Sequence, residues 1–126
     1  MDQSFGKKEK LKSKSLIDNL FSEGKSVSKF PLKLVYAPIS NSTIINHKVG
    51  VSVPKRHFKK AVDRNYLKRI MREGFRKNKY LVANNLHPFS MMFIYTGKDK
   101  CDARRMFSLT ETVLKKFIEK EQNMKP

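Results

Sequence analysis

The sequence predicts an α+β fold in which one sheet packs against helices, and three observations carry that prediction. The chain has 126 residues, of which 39% are hydrophobic, enough for a single domain with one modest core. Apolar residues recur at helical spacing in several segments, and short β-rich runs lie between them. We therefore expect a two-layer sandwich formed by residues 1–126 as one domain.

The first helix is predicted just after a basic opening segment. Residues 1–12 include the start of a lysine-rich run, which we interpret as a flexible basic arm. Four apolar residues then recur at helical spacing ahead of a glycine suited to ending a helix: Leu16, Ile17, Leu20, Phe21 and Gly24.

Two strands are predicted next. Phe30 to Pro38 is β-rich and contains a proline near each end, with a shorter preceding strand near residues 26–29 as a further possibility. In Lys48 to Val53, valines alternate with Gly50 and Ser52, so one face is apolar and the other nearly bare. Side chains of another strand or an RNA could cover the bare face, and the first is the favoured interpretation.

The second half of the chain predicts a long helix, a strand and a last helix. The long helix extends from about Lys60 to Leu81, and the apolar run Phe89 to Tyr95 is typical of a strand covered on both faces. The last helix begins either at the capping-box spacing of Ser108 or earlier at Asp102. Residues 120–126 are polar, and we expect them to fray.

The charge indicates a polyanionic partner. Lys and Arg total 28 against 11 Asp and Glu, which gives a net charge of +17, and nucleic acid is the first candidate partner. An anionic membrane surface is the second, but no apolar stretch approaches the roughly 20 residues of a membrane span. We see no signal-peptide pattern and no DNA-binding helix-turn-helix, so we expect a cytoplasmic protein that binds neither membrane nor DNA.

Residues suited to catalysis or metal binding are sparse in the sequence. Cys101 is the single cysteine, and no neighbouring histidine suggests that its thiol is activated. The three histidines, His47, His57 and His87, are scattered without metal-ligand spacing. The acidic residues form no pair that suggests a metal-dependent nuclease, so we expect no catalytic residue and no metal site in this chain.

The long helix separates an apolar face from a basic one. At about 100° per residue, Tyr66, Leu67, Ile70, Met71 and Phe75 fall on the apolar side. Like charges four residues apart repel each other, yet the opposite side carries almost only cations. A polyanion-binding face explains this arrangement better than a merely solvated one. The basic side contains Arg64, Asn65, Lys68, Arg69, Arg72 and Arg76.

Two neighbouring segments form a specific motif: residues 49–56, VGVSVPKR, and residues 61–73, AVDRNYLKRIMRE. Together they resemble the signature of the bacterial ribonuclease P protein component. The family has a Val-Gly-x-Ser-Val strand, a basic pair, and then Ala-Val-x-Arg-Asn-Arg-x-Lys-Arg-x-x-Arg-Glu. The order of predicted elements on both sides also fits. One departure is Tyr66, which replaces the second arginine of Arg-Asn-Arg and lies beside the predicted core.

The resemblance implies an α-β-β-β-α-β-α sandwich with a left-handed crossover. It also implies a ribonucleoprotein in which a large RNA with bound Mg²⁺ removes the 5′ leader of precursor tRNA. The protein would bind both that catalytic RNA and the leader. The matching positions imply a set of RNA-binding residues, to which we add the rest of the basic face and the basic turn before it. These residues are Arg64, Asn65, Lys68, Arg69, Arg72, Arg76, Lys55 and Arg56.

A second RNA surface is implied between the first helix and the sheet, where the leader would lie. Its expected residues are Ile17, Phe21, Lys33 and Tyr36. Ile17 cannot stack on a base, although the family usually has an aromatic residue there. Core packing is an equally good interpretation of Phe21 and Tyr36. A ribosomal or other structural RNA-binding protein is the main rival function, because it has the same charge and size.

Overall fold

A computed structural model describes residues 10–11, 13–40, 46–83 and 87–123, and it confirms the predicted α+β class. The described residues form three helices and four strands, and a short 3₁₀ helix, Lys79–Leu81, follows the second helix. The elements in order are α1 Lys14–Glu23, β1 Lys25–Lys29, β2 Leu32–Pro38, β3 Lys48–Ser52, α2 Ala61–Asn78, β4 Phe89–Tyr95 and α3 Ala103–Asn123.

The four strands form one mixed sheet in the order β1-β2-β4-β3. β2 pairs antiparallel with both β1 and β4, whereas β3 runs parallel to β4. The parallel pair is joined through α2, as a parallel connection requires a crossover. The left-handedness of that crossover stays a prediction from the family resemblance.

The two faces of the sheet carry different helices. Successive side chains of a strand point to opposite faces, and in β2 Leu32, Leu34 and Tyr36 join the main core formed with α2 and α3. The alternate residues Val35 and Ala37 belong to a smaller cluster with α1. Helix α1 therefore lies on the face opposite α2 and α3, so the predicted two layers gain a partial third.

Helices α2 and α3 approach each other closely at Gly74. A Cβ atom at this position would lie 2.7 Å from the Thr110 hydroxyl oxygen, so the contact requires glycine. One turn later, the buried Asn78 amide donates to the carbonyl of Gly74 at 2.9 Å and to that of Phe107 at 3.1 Å. Helical periodicity alone does not predict this polar tie, because it identifies only apolar positions.

Helix α3 begins at Ala103, and the start predicted at Ser108 is wrong. The Asp102 carboxylate accepts from the Arg105 backbone N–H at 2.8 Å, which is the bond of an N-cap. The helix continues through Asn123, beyond the predicted start of fraying at residue 120. The Nζ atoms of Lys116 and Lys120 donate to carbonyls of β1, which protects that edge of the sheet from further pairing.

The end of the predicted basic arm is fixed to the sheet. The Leu11 backbone N–H donates to the Val49 carbonyl at 2.9 Å, and Leu11 is buried. Residues 1–9 and 12 of the arm and residues 124–126 of the tail lie outside the described residues. Within the described ranges, no helix is long and apolar enough to cross a membrane.

Candidate nucleic-acid interface

A groove of about 490 Å³ lies between the basic face of α2 and strand β3. Arg69, Arg72 and Arg76 line it from α2, and Lys10 lines it from the N-terminal segment. Residues 49–51 of β3 and Met92 of β4 supply the apolar part of its lining. The fold thus joins four segments of the chain into a concave surface that is both cationic and apolar.

Gly50 shapes this groove. A Cβ atom at position 50 would lie 3.1 Å from the Met92 Cε atom and 3.5 Å from the Leu11 Cβ atom. The missing side chain therefore lets Met92 and the N-terminal segment come close to β3. Protein side chains thus come close to the bare strand face at Gly50, which is half-buried and still lines the groove.

Glu73 is the one acid among the described residues that line the groove. Its carboxylate accepts from the Arg76 guanidinium at 2.7 Å. This hydrogen bond, with the positive charges of Arg76, Lys77 and Arg69, lowers the pKa of Glu73 below its usual range. At neutral pH Glu73 therefore stays ionised and offsets part of the positive charge at one end of the groove.

Arg64 is directed away from the groove. Its guanidinium donates to the carbonyls of Phe58 at 2.8 Å and Lys59 at 2.9 Å, which ties the loop before α2 to the first turn of the helix. Asn65 is exposed and Lys68 half-buried on the same face, and neither lines the groove. In this structure Arg64 thus stabilises the loop, a role that the helical wheel does not reveal.

The basic turn between β3 and α2 also lies outside the groove. Lys55 and Arg56 are exposed in this turn, and the Arg56 Nε atom donates to the His57 Nε2 atom at 3.3 Å. The structure therefore gathers only Arg69, Arg72 and Arg76 from the predicted set into the groove.

Tyr66 is a packing residue, as its position beside the predicted core indicates. The half-buried side chain donates its hydroxyl hydrogen to the Cys101 carbonyl at 2.9 Å. The Arg69 guanidinium carbon lies 5.7 Å from the centroid of the ring, within cation–π range. Tyr66 thus holds the loop after β4 against α2 and helps to orient Arg69.

Tyr36 does not line the predicted cleft between α1 and the sheet. Tyr36 is only 1% exposed and packs edge-on against Phe89 and Phe117 in the main core. The assignment is wrong because Tyr36 lies on the other face of β2, whereas Val35 and Lys33 lie on the face of α1. Val35 therefore occupies the place expected for Tyr36.

The other cleft residues do lie on the α1 side. Ile17 is half-buried against the small cluster that contains Leu20, Val35 and Met92. Phe21 is 58% exposed, so core packing is the wrong interpretation of this residue. Its ring is therefore available at the surface of α1.

His47, which the sequence analysis leaves without a role, joins three elements. Its Nδ1 atom accepts from the Phe89 N–H at 2.9 Å, and its Nε2 atom lies 3.2 Å from the Val82 carbonyl oxygen.

Burial raises the pKa of the Cys101 thiol above its usual value, which keeps it protonated at neutral pH. Across the described ranges, no three His, Cys, Asp or Glu side chains are grouped to hold a metal ion.

Comparison with known proteins identifies the family. The Ribonuclease P family profile matches residues 5–120. The ribonuclease P protein component of Porphyromonas gingivalis is 40% identical over 80 residues, which cover 64% of this chain and 58% of that protein. That of Nitrosococcus oceani is 32% identical over 64 residues, which cover 51% of each chain. The chain thus spans less than two thirds of the length of these relatives.

Solved structures show the same fold. The ribonuclease P protein of Thermotoga maritima is 25% identical and superimposes with a TM-score of 0.70, over 86% of this chain and 96% of that one. The Staphylococcus aureus protein, at 24% identity, has a TM-score of 0.70 over 86% and 94% of the two chains. Together with the match over residues 5–120, this shows that the chain belongs to the ribonuclease P protein family.

Proposed function

We propose that this chain is the RNA-binding protein subunit of ribonuclease P, which removes the 5′ leader from precursor tRNA. The observation that carries the proposal is the groove beside α2, where Arg69, Arg72 and Arg76 face an apolar strip of the sheet. Membership of the family and the net charge of +17 support the same function. The RNA is the catalyst, and the protein acts by binding.

The basic face of α2 is the proposed contact with the catalytic RNA. Arginine side chains form paired hydrogen bonds with phosphates and stack on unpaired bases. This surface extends beyond the groove through Lys68 and Asn65 and through the turn residues Lys55 and Arg56. Arg64 contributes by holding the loop before α2, and its positive charge adds to the same face.

The cleft beside α1 is the proposed site for the leader. Phe21 offers an exposed ring on which a base can stack, and Lys33 offers a cation on the same side of the sheet. Ile17, Val35 and Met92 are partly buried on the same side of the sheet and supply apolar surface. A single strand needs this combination of stacking surface and positive charge, without base-specific hydrogen bonds.

The protein would increase the rate of cleavage through binding free energy. Cations between two large RNAs reduce phosphate repulsion, and a bound leader tightens the substrate relative to the product. The Mg²⁺ ions that activate the attacking water belong, in this proposal, to the catalytic RNA. The cytoplasm, where tRNA precursors are made in bacteria, is the proposed location.

Reconstitution tests the proposal directly. The protein is mixed with a bacterial ribonuclease P RNA, Mg²⁺ and a precursor tRNA labelled at its 5′ end. We expect release of the leader only when the RNA is present, and faster turnover with the protein than without it. Protein-only cleavage that is lost on mutation of an acidic residue would contradict the assignment of catalysis to RNA.

Salt dependence tests the mode of binding and separates the rival function. If the protein neutralises about six to ten phosphates, affinity should fall by roughly 10³- to 10⁵-fold between about 50 and 200 mM salt. A nearly flat titration would refute binding by charge. Absence of stimulation at every salt concentration, together with tight binding to ribosomal RNA, would favour a ribosomal-type protein instead.

A further inference from the structure

A second concave surface lies at the turn that joins β1 to β2. This pocket, of about 320 Å³, is lined by the turn residues Phe30 and Pro31, by Tyr95, by residues 97–102 and by Arg105. It shares no residue with the groove beside α2. Neither the basic face nor the leader cleft includes any of its residues.

Phe30 is displayed at the surface from a fixed backbone. Its side chain is 71% exposed, although the adjoining Pro31 is buried. The Pro31 carbonyl accepts from the Thr96 N–H at 2.7 Å, and a Cβ atom on Gly97 would lie 2.7 Å from the Pro31 Cβ atom. Polar residues usually occupy such turns, so an aromatic ring held here suits binding better than folding.

The rest of the pocket contains cations on a loop that is held in place by a hydrogen bond. Lys98, Lys100 and Arg105 line it, and the exposed Lys29 precedes Phe30 in the chain. The Tyr95 hydroxyl donates to the Asp99 carbonyl, which holds the loop that carries two of these lysines. An exposed aromatic ring flanked by cations is the arrangement that proteins use to hold unpaired nucleotides.

The three cations of the pocket lining, Lys98, Lys100 and Arg105, outnumber its two acids. The Asp102 carboxylate accepts from the Arg105 N–H as the cap of α3, and Asp99 is the other acid of the lining. Lys29 and the exposed Arg104 lie near by in sequence and add to the cations of the lining. A volume near 320 Å³ is at the small end of ligand pockets, so it suits one base and not a duplex.

The pocket adjoins the N-terminal half of α2. The Lys100 ammonium lies 3.0 Å from the Asp63 carboxylate of the first helical turn. Tyr66 donates to the carbonyl of Cys101, and Cys101 lines the pocket. The pocket thus lies beside the first two turns of α2, and an RNA on the basic face of α2 would have to continue past the start of the helix to reach it.

We infer that this pocket binds one unpaired nucleotide of the catalytic RNA, with the base stacked on Phe30 and its phosphate beside Lys98 and Arg105. The inference rests on the proposed function, because it requires the same RNA to lie on α2. It adds a contact in a part of the chain outside the residues that match the family signature.

Equilibrium binding of the full chain to a bacterial ribonuclease P RNA tests the inference. Phe30→Ala loses the stacking contact with one base, so its affinity for the RNA should be about 5- to 150-fold lower than that of the parent protein. Phe30→Tyr keeps the ring and should restore most of the affinity. Tyr80→Ala is the matched control, because Tyr80 is also an exposed aromatic residue but lines neither the groove nor this pocket. All three variants should melt near the parent temperature.

The salt dependence separates stacking from charge. Phe30→Ala should leave the slope of log affinity against log salt unchanged, whereas Lys98→Ala should reduce it by about one. If Phe30→Ala binds like the parent while Arg72→Ala binds weakly, this inference fails and the proposed function stands. If neither variant weakens binding, the proposed function fails as well.

Discussion

The two faces of the sheet differ in how completely helices cover them. Helices α2 and α3 seal one face, where Leu34, Phe93 and Phe117 are all buried. Helix α1 covers only part of the other face, through a cluster centred on Leu20 and Ala37. The sealed face supplies most of the buried apolar area and hence of the stability. The open face keeps concave surface available for a ligand.

The comparison shows why neighbouring residues of one strand serve different purposes. In β2, Tyr36 belongs to the sealed face and Val35 to the open one. Adjacent positions in the strand therefore lie on opposite faces of the sheet, one in the core and the other on the surface proposed to bind RNA. Four predictions test the separation of structural from RNA-binding residues, on the sheet and on α2, in order of decreasing effect.

Substitutions at two adjacent residues of β2 should have the largest effect on stability. Tyr36→Ala removes a ring that packs against Phe89 and Phe117, and we expect a loss of about 3–5 kcal/mol in the free energy of unfolding. Val35→Ala removes a half-buried side chain and should cost about 1–2 kcal/mol. Urea denaturation measures both. Equal losses would mean that the two faces of β2 are packed alike.

Phe21→Ala should affect binding without affecting stability. The ring is largely exposed, so we expect the free energy of unfolding to change by less than about 0.5 kcal/mol. A lost stacking contact should weaken binding of precursor tRNA to the reconstituted enzyme by about 1–3 kcal/mol. Mature tRNA, which lacks the leader, is the control substrate, and an equal loss with both would place Phe21 elsewhere on the RNA.

Arg64→Ala and Arg72→Ala should separate two roles on one helix face. Arg64 donates to the carbonyls of Phe58 and Lys59, so its loss should reduce stability by about 1–2 kcal/mol. Arg72 is exposed beside the groove, and its loss should reduce the salt slope of RNA binding by about one, with stability unchanged. Thermal melts and binding titrations are both needed. Identical melts for the two variants would show that Arg64 is not structural.

Glu73→Gln should have the smallest effect and the opposite sign on RNA affinity. The pKa of Glu73 is lowered mainly by its hydrogen bond with Arg76, so the pair stabilises the fold at neutral pH. That contribution disappears as the pH falls through the lowered pKa, and for an exposed pair it is below about 0.5 kcal/mol. The variant should lose this dependence and bind RNA roughly two- to threefold more tightly. Weaker binding would mean that the pair orients Arg76 for the RNA.

Much of the fold follows from local patterns in the chain. The alternating valines of β3 and the segregated helix α2 both lie where periodicity predicts them. The predicted core face of α2 is confirmed, with Leu67, Ile70 and Phe75 buried. These predictions succeed because the apolar face of an element must be buried whatever its neighbours are.

Other features depend on contacts between residues far apart in the chain. The Lys116 bond to Ser28 joins residues 88 positions apart, and the contact between Gly74 and Thr110 depends on where two helices cross. The start of α3 was ambiguous for a related reason, since Ser108 and Asp102 both carry cap signals. Asp102 is the cap in the structure, where Tyr66 holds the neighbouring Cys101 against α2.

The fold class, the basic face of α2 and the resemblance to the ribonuclease P proteins all follow from the amino-acid sequence alone. These properties depend on composition, periodicity and motif spacing, which are local. Contacts in the folded chain are needed to show that Arg64 holds a loop, that Tyr36 lies in the core, and that Phe30 lines a pocket with cations. Each of these outcomes depends on which distant backbone or side chain packs beside the residue, and a pattern along the chain does not contain that information.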